Sequence, residues 1–211
     1  NPLVLIDIGS RGGLLSPWQE EELNLFVIGF EPDARSYDPL EHEVPNRSRQ
    51  FKVGLYDQKK EMTLFLTRRP GDSSVLKPNK RFLDKFPESQ RFDVVGTTEM
   101  EVDTLDSQLQ QNSIDDVDFI TIDTQGSELN ILKGAEDILA TSVFGIEIEV
   151  EFNRMYEDQP LFADVDQFLR EHGFQLFDLR PIYWKRKAGE KIGGPKGQVI
   201  YADALYFREI D

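Results

Sequence analysis

Residues 117–135 read VDFITIDTQGSELNILKGA, and this stretch combines a strand, a loop and a helix. Val117 to Asp123 is a short apolar run of the kind that a parallel sheet buries on both faces. From Ser127 onward, apolar residues recur at helical spacing, at Leu129, Leu132, Ala135 and Leu139. A strand followed at once by an amphipathic helix is the repeating unit of α/β proteins, so the stretch predicts that fold class.

The N-terminal part of the chain shows the same pattern. Leu3 to Ile8 is a continuous apolar run that ends at Gly9, and Leu25 to Phe30 is a second one. Pro32 closes the second run, because proline disfavours helical geometry in the residue before it. Between the runs, Ser16 to Gln19 supply an N-cap hydroxyl, a proline at the first helical position and a capping-box amide, which predict a helix start.

The C-terminal part predicts two strands that follow a strand-helix unit. Phe144 to Val150 reads as a strand, and Phe162 to Arg170 reads as a helix that ends near Gly173, a typical C′ residue. Phe174 to Leu179 and Val199 to Phe207 then read as two β segments. We expect these last two strands to form an antiparallel hairpin at one edge of the sheet.

The middle of the chain is less regular. Phe51 to Leu55 and Glu61 to Leu66 predict a third strand with a hairpin extension, and Glu99 to Val102 predicts another strand. Arg68 to Gln90 is rich in Pro, Gly, Ser and Lys, which predicts a long surface excursion that could serve as a lid. We therefore expect a single domain over residues 1–211, with an open, mostly parallel sheet, helices on both faces and a C-terminal antiparallel hairpin.

Charge and composition restrict the class of partner. The chain carries 24 Lys and Arg against 39 Asp and Glu, a formal net charge of −15. A field of this sign repels phosphate backbones and anionic lipid headgroups, so we expect neither nucleic acid nor a membrane as partner. No apolar run approaches the roughly 20 residues of a spanning helix. Because the chain has no cysteine, it has no disulfide framework and no thiolate zinc site, and we expect a cytoplasmic protein.

The ends of the first two strands are candidate ligand sites, because ligands of open α/β sheets bind beyond the carboxyl ends of the strands. The first strand runs into Asp7-Ile8-Gly9-Ser10-Arg11-Gly12, whose glycines permit a tight turn and close backbone approach. Glu31 follows Gly9 by 22 positions, about the spacing at which an acidic residue reaches a ribose. The loop lacks the G-x-G-x-x-G pattern, and a bare G-x-x-G also occurs in purely structural turns. Asp7 would repel a pyrophosphate and attract a cationic sulfonium, which favours S-adenosylmethionine over a dinucleotide.

The opening stretch also resembles a known signature. Residues 118–135 are similar to the pattern D-F-I-K-I-D-x-x-G-x-E-x-x-x-L-K-G-A of FkbM-type methyltransferases. The agreement extends to Asp7-Ile8-Gly9, Phe30-Glu31-Pro32, Ser73-Ser74, Val102 to Asp106 and Ile146 to Glu149. The resemblance implies a Rossmann-like methyltransferase fold with a seven-stranded sheet that binds S-adenosylmethionine and usually methylates a hydroxyl, although amide N-methylation also occurs in the family. Relatives often carry Lys and Glu where this chain has Thr121 and Gln125, a difference that bears on the acceptor and leaves the cofactor fold intact.

The resemblance also implies roles for individual residues. The methionine end of the cofactor is expected to contact Asp7, Gly9, Ser10, Arg11 and Gly12. Glu31 is expected to bind the ribose hydroxyls, and Asp33 is expected near the adenine. The predicted catalytic residues are Asp123, Glu128 and Glu147. Because methyl transfer is an in-line displacement on an activated methyl group, alignment supplies much of the rate gain, and Asp123 or Glu147 could take the proton of a hydroxyl acceptor.

Several of these residues also have structural explanations. Glu128 opens a helix, where the helix dipole favours a carboxylate without any catalytic role. Glu147 and Glu149 are two positions apart in a strand and share a face, so at least one is expected to line the cleft. His42 and His172 are expected in structural or surface positions. No repeated loop spacing indicates a metal site, and none is expected.

One loop has the opposite charge to the rest of the chain. Its cations, opposed only by Glu190, are Lys185, Arg186, Lys187, Lys191 and Lys196. Either this loop is simply solvated, or it docks an acidic partner such as a carrier protein or an anionic glycan.

The sequence therefore predicts an S-adenosylmethionine-dependent O-methyltransferase that acts on a hydroxyl of a small natural product, a glycan or a related metabolite. One alternative is a nucleotide-dependent oxidoreductase on a related sheet, which would bind a nicotinamide cofactor instead. Another is a non-catalytic module that binds the cofactor without turnover.

Overall fold

The computed structural model describes residues 2–9, 18–32, 48–194 and 196–209. The strands are β1 (Leu3–Ile8), β2 (Leu25–Phe30), β3 (Ser48–Phe51), β4 (Gly54–Leu55), β5 (Lys60–Thr67), β6 (Val94–Asp103), β7 (Phe119–Ile122), β8 (Gly145–Glu151), β9 (Phe174–Trp184) and β10 (Gln198–Arg208). The α-helices are α1 (Lys80–Leu83), α2 (Leu105–Gln111), α3 (Glu128–Lys133), α4 (Glu136–Thr141) and α5 (Phe162–Glu171). Short 3-10 helices cover Trp18–Asn24, Pro70–Asp72, Ser89–Phe92 and Lys187–Gly189.

Seven of the described strands form one sheet in the order β3-β2-β1-β7-β8-β10-β9. The pairs from β3 to β8 are parallel, whereas β10 lies antiparallel between β8 and β9. This arrangement confirms the predicted open, mostly parallel α/β sheet of seven strands with a C-terminal antiparallel hairpin. The strand order reverses between β1 and β7, so the ligand crevice of such a sheet is expected at the carboxyl ends of these two strands.

One isoleucine from each of four neighbouring strands forms a row across the sheet. Ile6 lies in register with Ile28 and Ile120, and Ile120 with Ile146. All four side chains are fully buried, and the helices of this face cover them with Leu109, Leu132, Leu139 and Leu169. A smaller buried cluster comprises the alternate strand residues Leu5, Leu25, Val27 and Phe119. The apolar runs of the sequence are continuous because the central strands bury side chains on both faces.

The helix predicted from Ser127 to Leu139 is two short helices, α3 and α4. Its apolar spacing continues across the break, but Gly134 ends α3. A Cβ atom at Gly134 would lie 2.2 Å from the carbonyl oxygen of Tyr56, so this glycine permits a close approach between two backbones. No helix within the described ranges is long and apolar enough to cross a membrane.

The region between β3 and β6 differs from the prediction. The third strand of the main sheet is Ser48–Phe51, whereas the predicted segment began at Phe51. Gly54–Leu55 belongs to a second, three-stranded sheet in the order β4-β6-β5, in which β5 and β6 are antiparallel. The predicted excursion from Arg68 to Gln90 is not a simple surface loop, because Leu83 and Phe86 are buried. They form a second core with Phe92, Met155, Tyr156 and Ile200.

Candidate active site

A cavity of about 460 Å³ opens at the carboxyl ends of β1, β2, β7 and β8. Residues 69–75, from the segment that was predicted to be a surface excursion, form one wall of the cavity. Trp184 of β9 and Tyr201 of β10 form part of another wall. The volume falls within the range of small-molecule sites. The cavity thus lies in the crevice where the strand order reverses, as an open α/β sheet requires.

Gly9 follows β1 and lines this cavity, where it contacts the backbone at the carboxyl ends of β2 and β7. Its φ of +83° lies in the left-handed region, and its N–H donates to the carbonyl of Phe30 at 3.0 Å. A Cβ atom here would lie 2.0 Å from the carbonyl oxygen of Asp123. The sequence predicted a tight turn and a close backbone approach at this glycine, and in the structure the backbone at the end of β7 makes such an approach.

Two in-register rows bring polar side chains from distant parts of the chain into the cavity. The first row is Asp7 on β1, Thr121 on β7 and Glu147 on β8. The second row is Glu149 on β8, Asp203 on β10 and Arg180 on β9. All six residues line the cavity. Sequence reasoning missed Asp203 and Arg180, because only the pairing of the C-terminal hairpin with β8 places them beside the carboxylates.

Asp7 is held by its neighbour in the first row. The hydroxyl of Thr121 donates to Asp7 Oδ1 at 2.7 Å. Burial raises the pKa of Asp7 to about 6, and the nearby charge of Asp123 adds to the rise against the hydrogen bond from Thr121. Asp7 therefore changes its charge close to neutral pH.

Glu31 lies at the other end of the cavity, directly after β2. Its side chain is buried, and its backbone N–H donates to the carbonyl of Phe51 at 3.1 Å. The walls beside it are apolar: Phe30, Pro32, Val53, Leu55, Leu64 and Met100. This end combines one carboxylate with an apolar chamber to which both sheets contribute.

Four predicted cofactor contacts cannot be placed. Ser10, Arg11, Gly12 and Asp33 lie outside the described residues, as does His42. His172 lies at the end of α5, where its ring Nδ1 is 2.8 Å from the carbonyl of Phe168, and it does not line the cavity.

Asp123 lies at the carboxyl end of β7 and faces the cavity. Its side chain is open to the cavity, and protein surrounds it on the other sides. The loss of solvation on those sides raises its pKa, and the negative charges of Asp203 and Asp72 raise it further, whereas a hydrogen bond from Gln125 lowers it. That bond runs from Gln125 Nε2 to Asp123 Oδ1 at 2.7 Å.

Glu147 and Glu149 both line the cavity, as their shared strand face predicts, but their environments differ. Glu147 accepts a hydrogen bond from the indole N–H of Trp18 at 2.8 Å and forms an ion pair with Arg180. Glu149 is buried, and the amide of Gln125 donates to it at 3.1 Å. Burial and the charge of Asp123 raise the pKa of Glu149 well above its usual range. Glu147 therefore forms the ion pair of this strand, and Glu149 is the buried carboxyl whose pKa is raised.

Glu128 has a different environment from the other predicted catalytic residues. It is buried and does not line the cavity. Its Oε1 accepts from the backbone N–H of Thr124 at 2.9 Å, from the Thr124 hydroxyl at 3.1 Å and from the N–H of Gly126 at 3.0 Å. This geometry favours the structural explanation that its position in the sequence left open: the carboxylate organises the loop between β7 and α3.

The cavity carries more negative than positive groups. Its described lining contains three guanidinium groups, Arg69, Arg91 and Arg180, and seven carboxyl groups, Asp7, Glu31, Asp72, Asp123, Glu147, Glu149 and Asp203. Such a lining favours a cationic ligand over a phosphate. Within the described ranges, no three acidic or histidine side chains converge as ligands of a metal ion would.

The cations of the β9–β10 loop are largely engaged within the chain. Lys185 Nζ donates to the carbonyl of Glu190 at 3.2 Å, and Lys187 Nζ donates to that of Asp84 at 3.2 Å. Lys196 lies over the ring of Tyr183. These cations therefore help to hold the conformation of the loop and its contact with the segment that contains Asp84.

Comparison with known proteins gives this fold and cavity a family. Residues 19–176 match the sequence profile of the Methyltransferase FkbM domain. Because the match covers more than half of the chain, the chain belongs to the FkbM methyltransferase family.

Two relatives show how far this likeness extends. The chain is 27% identical over 173 residues to the 2-O-methyltransferase NoeI of Sinorhizobium fredii (strain NBRC 101917 / NGR234). The aligned region covers 77% of this chain and 70% of that protein. The crystal structure of Methyltransferase FkbM from Methylobacillus flagellatus KT is similar with a TM-score of 0.53 and 16% sequence identity, over 98% of this chain and 43% of that one. The chain thus spans less than half of that second protein, and the likeness to it concerns the fold.

Proposed function

We propose that this protein is an S-adenosylmethionine-dependent methyltransferase that methylates a hydroxyl of a small natural product, a glycan or a related metabolite. One observation carries the proposal: a single cavity in the crevice of an FkbM-family sheet joins an apolar chamber beside Glu31 to carboxyls at Asp123 and Glu149. The first part suits an adenosine, and the second suits a proton-accepting site. The relative NoeI is a 2-O-methyltransferase, which supports oxygen as the acceptor atom.

The residues present fit this cofactor. Glu31 lies where a carboxylate accepts hydrogen bonds from ribose hydroxyls, and the apolar walls beside it suit a purine. Asp7 and the excess of carboxyls suit a positively charged ligand and disfavour the pyrophosphate of a nicotinamide dinucleotide. When bound, S-adenosylmethionine supplies an activated methyl group and leaves as a neutral thioether.

The protein groups around the acceptor side bind it and receive its proton. Asp123 is the candidate general base, because it faces the cavity at the reversal point of the sheet. Glu147 is neutralised by Arg180 and is better suited to accept a hydrogen bond from a second hydroxyl of the acceptor. Trp184 and Tyr201 add aromatic faces to this side, so a polyhydroxylated acceptor with a flat apolar face fits it best.

Calorimetry with S-adenosylhomocysteine tests the cofactor assignment. We expect saturable binding, and absence of binding at millimolar ligand would reject the proposal. The same titration with nicotinamide cofactors tests the oxidoreductase alternative. Comparison of methylated metabolites in cells with and without the gene would identify the acceptor, and cofactor binding without any methylated product would instead support a non-catalytic module.

A further inference from the structure

We propose that Asp123 and Glu149 act as a pair that shares one proton, and that Gln125 is the positioning residue that holds their carboxyl groups side by side at the cavity. This inference rests on the proposed function and adds to it a second proton-accepting residue, Glu149, together with the group that orients the pair.

The amide of Gln125 bridges the two carboxyls. A primary amide has two N–H bonds, and Gln125 Nε2 lies 2.7 Å from Asp123 Oδ1 and 3.1 Å from Glu149 Oε1. Both carboxyls line the cavity, one from β7 and one from β8. One amide nitrogen therefore sets the relative position of two acids that come from different strands.

The direction of this amide is determined by its surroundings. Its oxygen accepts from the hydroxyl of Tyr156 at 3.1 Å, and Tyr156 is fully buried. The flipped amide would place its oxygen against the two carboxyls and lose both donated hydrogen bonds. The backbone is held as well, because Gln125 has a left-handed φ of +62° and its carbonyl accepts from Ser74 Oγ at 2.8 Å. The structure therefore maintains an uncommon backbone geometry to keep this side chain in place.

The groups around the pair are mostly acidic. The negative charges that act on Glu149 are those of Asp123, Glu151, Glu128 and Asp203. Those that act on Asp123 include Asp203 and Asp72. Burial raises the pKa values of the Tyr156 and Tyr201 phenols, and the charge of Glu149 raises them further. Two of the three guanidinium groups in the lining pair with other carboxylates: Arg180 with Glu147, and Arg91 with Asp72 at 3.5 Å between Nε and Oδ2. Two neighbouring carboxyls in such a field resist ionising together, so they release their protons in separate steps, and between these steps the pair holds one proton.

This state suits the acceptor side of the reaction. The ionised carboxyl takes the proton of the acceptor hydroxyl, and the acceptor oxygen keeps the electron pair of its O–H bond for the new bond to carbon. The neutral partner limits the negative charge at the site before the reaction, and Gln125 keeps the accepting oxygen aligned.

Cofactor binding tests the pair without knowledge of the acceptor. S-adenosylmethionine carries a sulfonium charge, whereas S-adenosylhomocysteine has the same groups around a neutral sulfur. The ratio of their dissociation constants, measured by calorimetry between about pH 5 and 9, reports negative charge at the sulfur site. Asp7 lines the same cavity, has a pKa of about 6 and is close enough to feel the charge of Asp123, so its ionisation adds a contribution that every protein with Asp7 shares. We expect the preference for the sulfonium to increase further as the pair ionises with rising pH, and only this second contribution should differ between variants of the pair.

Two variants should move this transition in opposite directions. Gln125→Met removes the amide donors that stabilise the ionised carboxyls, so the midpoint should rise by about one pH unit or more. Glu149→Gln removes the second acid, so the remaining Asp123 should ionise in one step, at a lower pH than the second ionisation of the wild-type pair. Gln110→Met, on the exposed side of α2, is the matched control and should leave the midpoint unchanged.

The outcomes separate this inference from the proposed function. If the wild-type protein binds neither ligand, both are rejected. If both ligands bind and the midpoint is the same in all variants, only the pair is rejected. Thermal melts check folding, and should Gln125→Met fail to fold, Tyr156→Phe removes the hydroxyl that orients the amide and should raise the midpoint by a smaller amount; no shift in Tyr156→Phe would then overturn the role of Gln125.

Discussion

The two ends of the cavity differ in what holds them. At the Glu31 end, one carboxylate lies among apolar walls that both sheets supply. At the Asp123 end, the carboxyls of Asp123 and Glu149 both accept from the amide of Gln125, and further carboxyl and guanidinium groups line the same cavity. The first end therefore offers apolar burial, whereas the second concentrates charge. A methyltransferase needs both functions, and the crevice between β1 and β7 is where this fold joins them.

Gly9→Val should have the largest effect, because the backbone at Asp123 leaves no room for a side chain at this position. A Cβ atom would lie 2.0 Å from the Asp123 carbonyl, and the left-handed φ adds backbone strain. We expect the free energy of unfolding to fall by about 3 kcal/mol or more and cofactor binding to be lost. Chemical denaturation and calorimetry measure the two effects. Gly189→Val is the control, because no atom lies within 4 Å of a Cβ at that position; equal stability of the two variants would contradict the prediction.

Asp123→Asn should affect the charged end alone. The substitution keeps the size of the side chain and removes its charge, so turnover at saturation should fall roughly 10²- to 10⁴-fold while affinity for S-adenosylhomocysteine changes much less. Saturated turnover and calorimetry separate these quantities. Asp137→Asn, an exposed residue of α4, should retain full turnover. An Asp123→Asn enzyme with full turnover would remove Asp123 from the catalytic set.

The ionisation of Asp7 should make the free energy of unfolding depend on pH. Its pKa rises from 3.8 to about 6 on folding, so the folded state binds a proton more tightly than the unfolded state. This group therefore lowers the free energy of unfolding as the pH increases through this interval, by about 3 kcal/mol in total. Asp7→Asn should remove that part of the decrease, as measured by urea denaturation at about pH 4 and about pH 7. Identical pH dependence in the two proteins would show that Asp7 is not responsible.

Glu31→Ala should have the smallest of these effects, and it tests the apolar end. A hydrogen bond from a ribose hydroxyl to this carboxylate contributes about 1.5–3 kcal/mol, so the net loss of one such bond should lower the affinity for S-adenosylhomocysteine roughly 10- to 150-fold. The sulfonium preference should not change, because Glu31 lies at the opposite end from Asp123. Unchanged affinity would place the ribose elsewhere.

Local sequence patterns were sufficient for much of the fold. The bounds of β1 and β2 agree with the apolar runs that predicted them, because continuous burial and the flanking Gly9 and Pro32 are local features. The shifted third strand and the second sheet were not predicted. Gly54–Leu55 pairs with residues of β6 that lie 48 positions further along the chain, and no local period specifies such a partner.

The candidate site divides in a similar way. The strand-end rule indicated Asp7, Glu31 and Asp123, and all three line the cavity. Glu128 and Glu149 show where the rule is insufficient, because both belong to stretches that resemble the family signature. The carboxylate of Glu128 binds backbone N–H groups of its own loop, whereas Glu149 lines the cavity. The direction of a side chain at a strand or helix end depends on which donors the folded loop offers it.

The sequence by itself determined the α/β class, the family and the strand ends that line the cavity, because periodicity and turn residues act over a few positions. Only the tertiary structure decided which polar groups meet in the cavity. The hairpin of β9 and β10 places Asp203 and Arg180 in register with Glu149, and the buried hydroxyl of Tyr156 orients Gln125 between two acids. These contacts join residues far apart in the chain, so their geometry follows from sheet register and burial, which no local pattern contains.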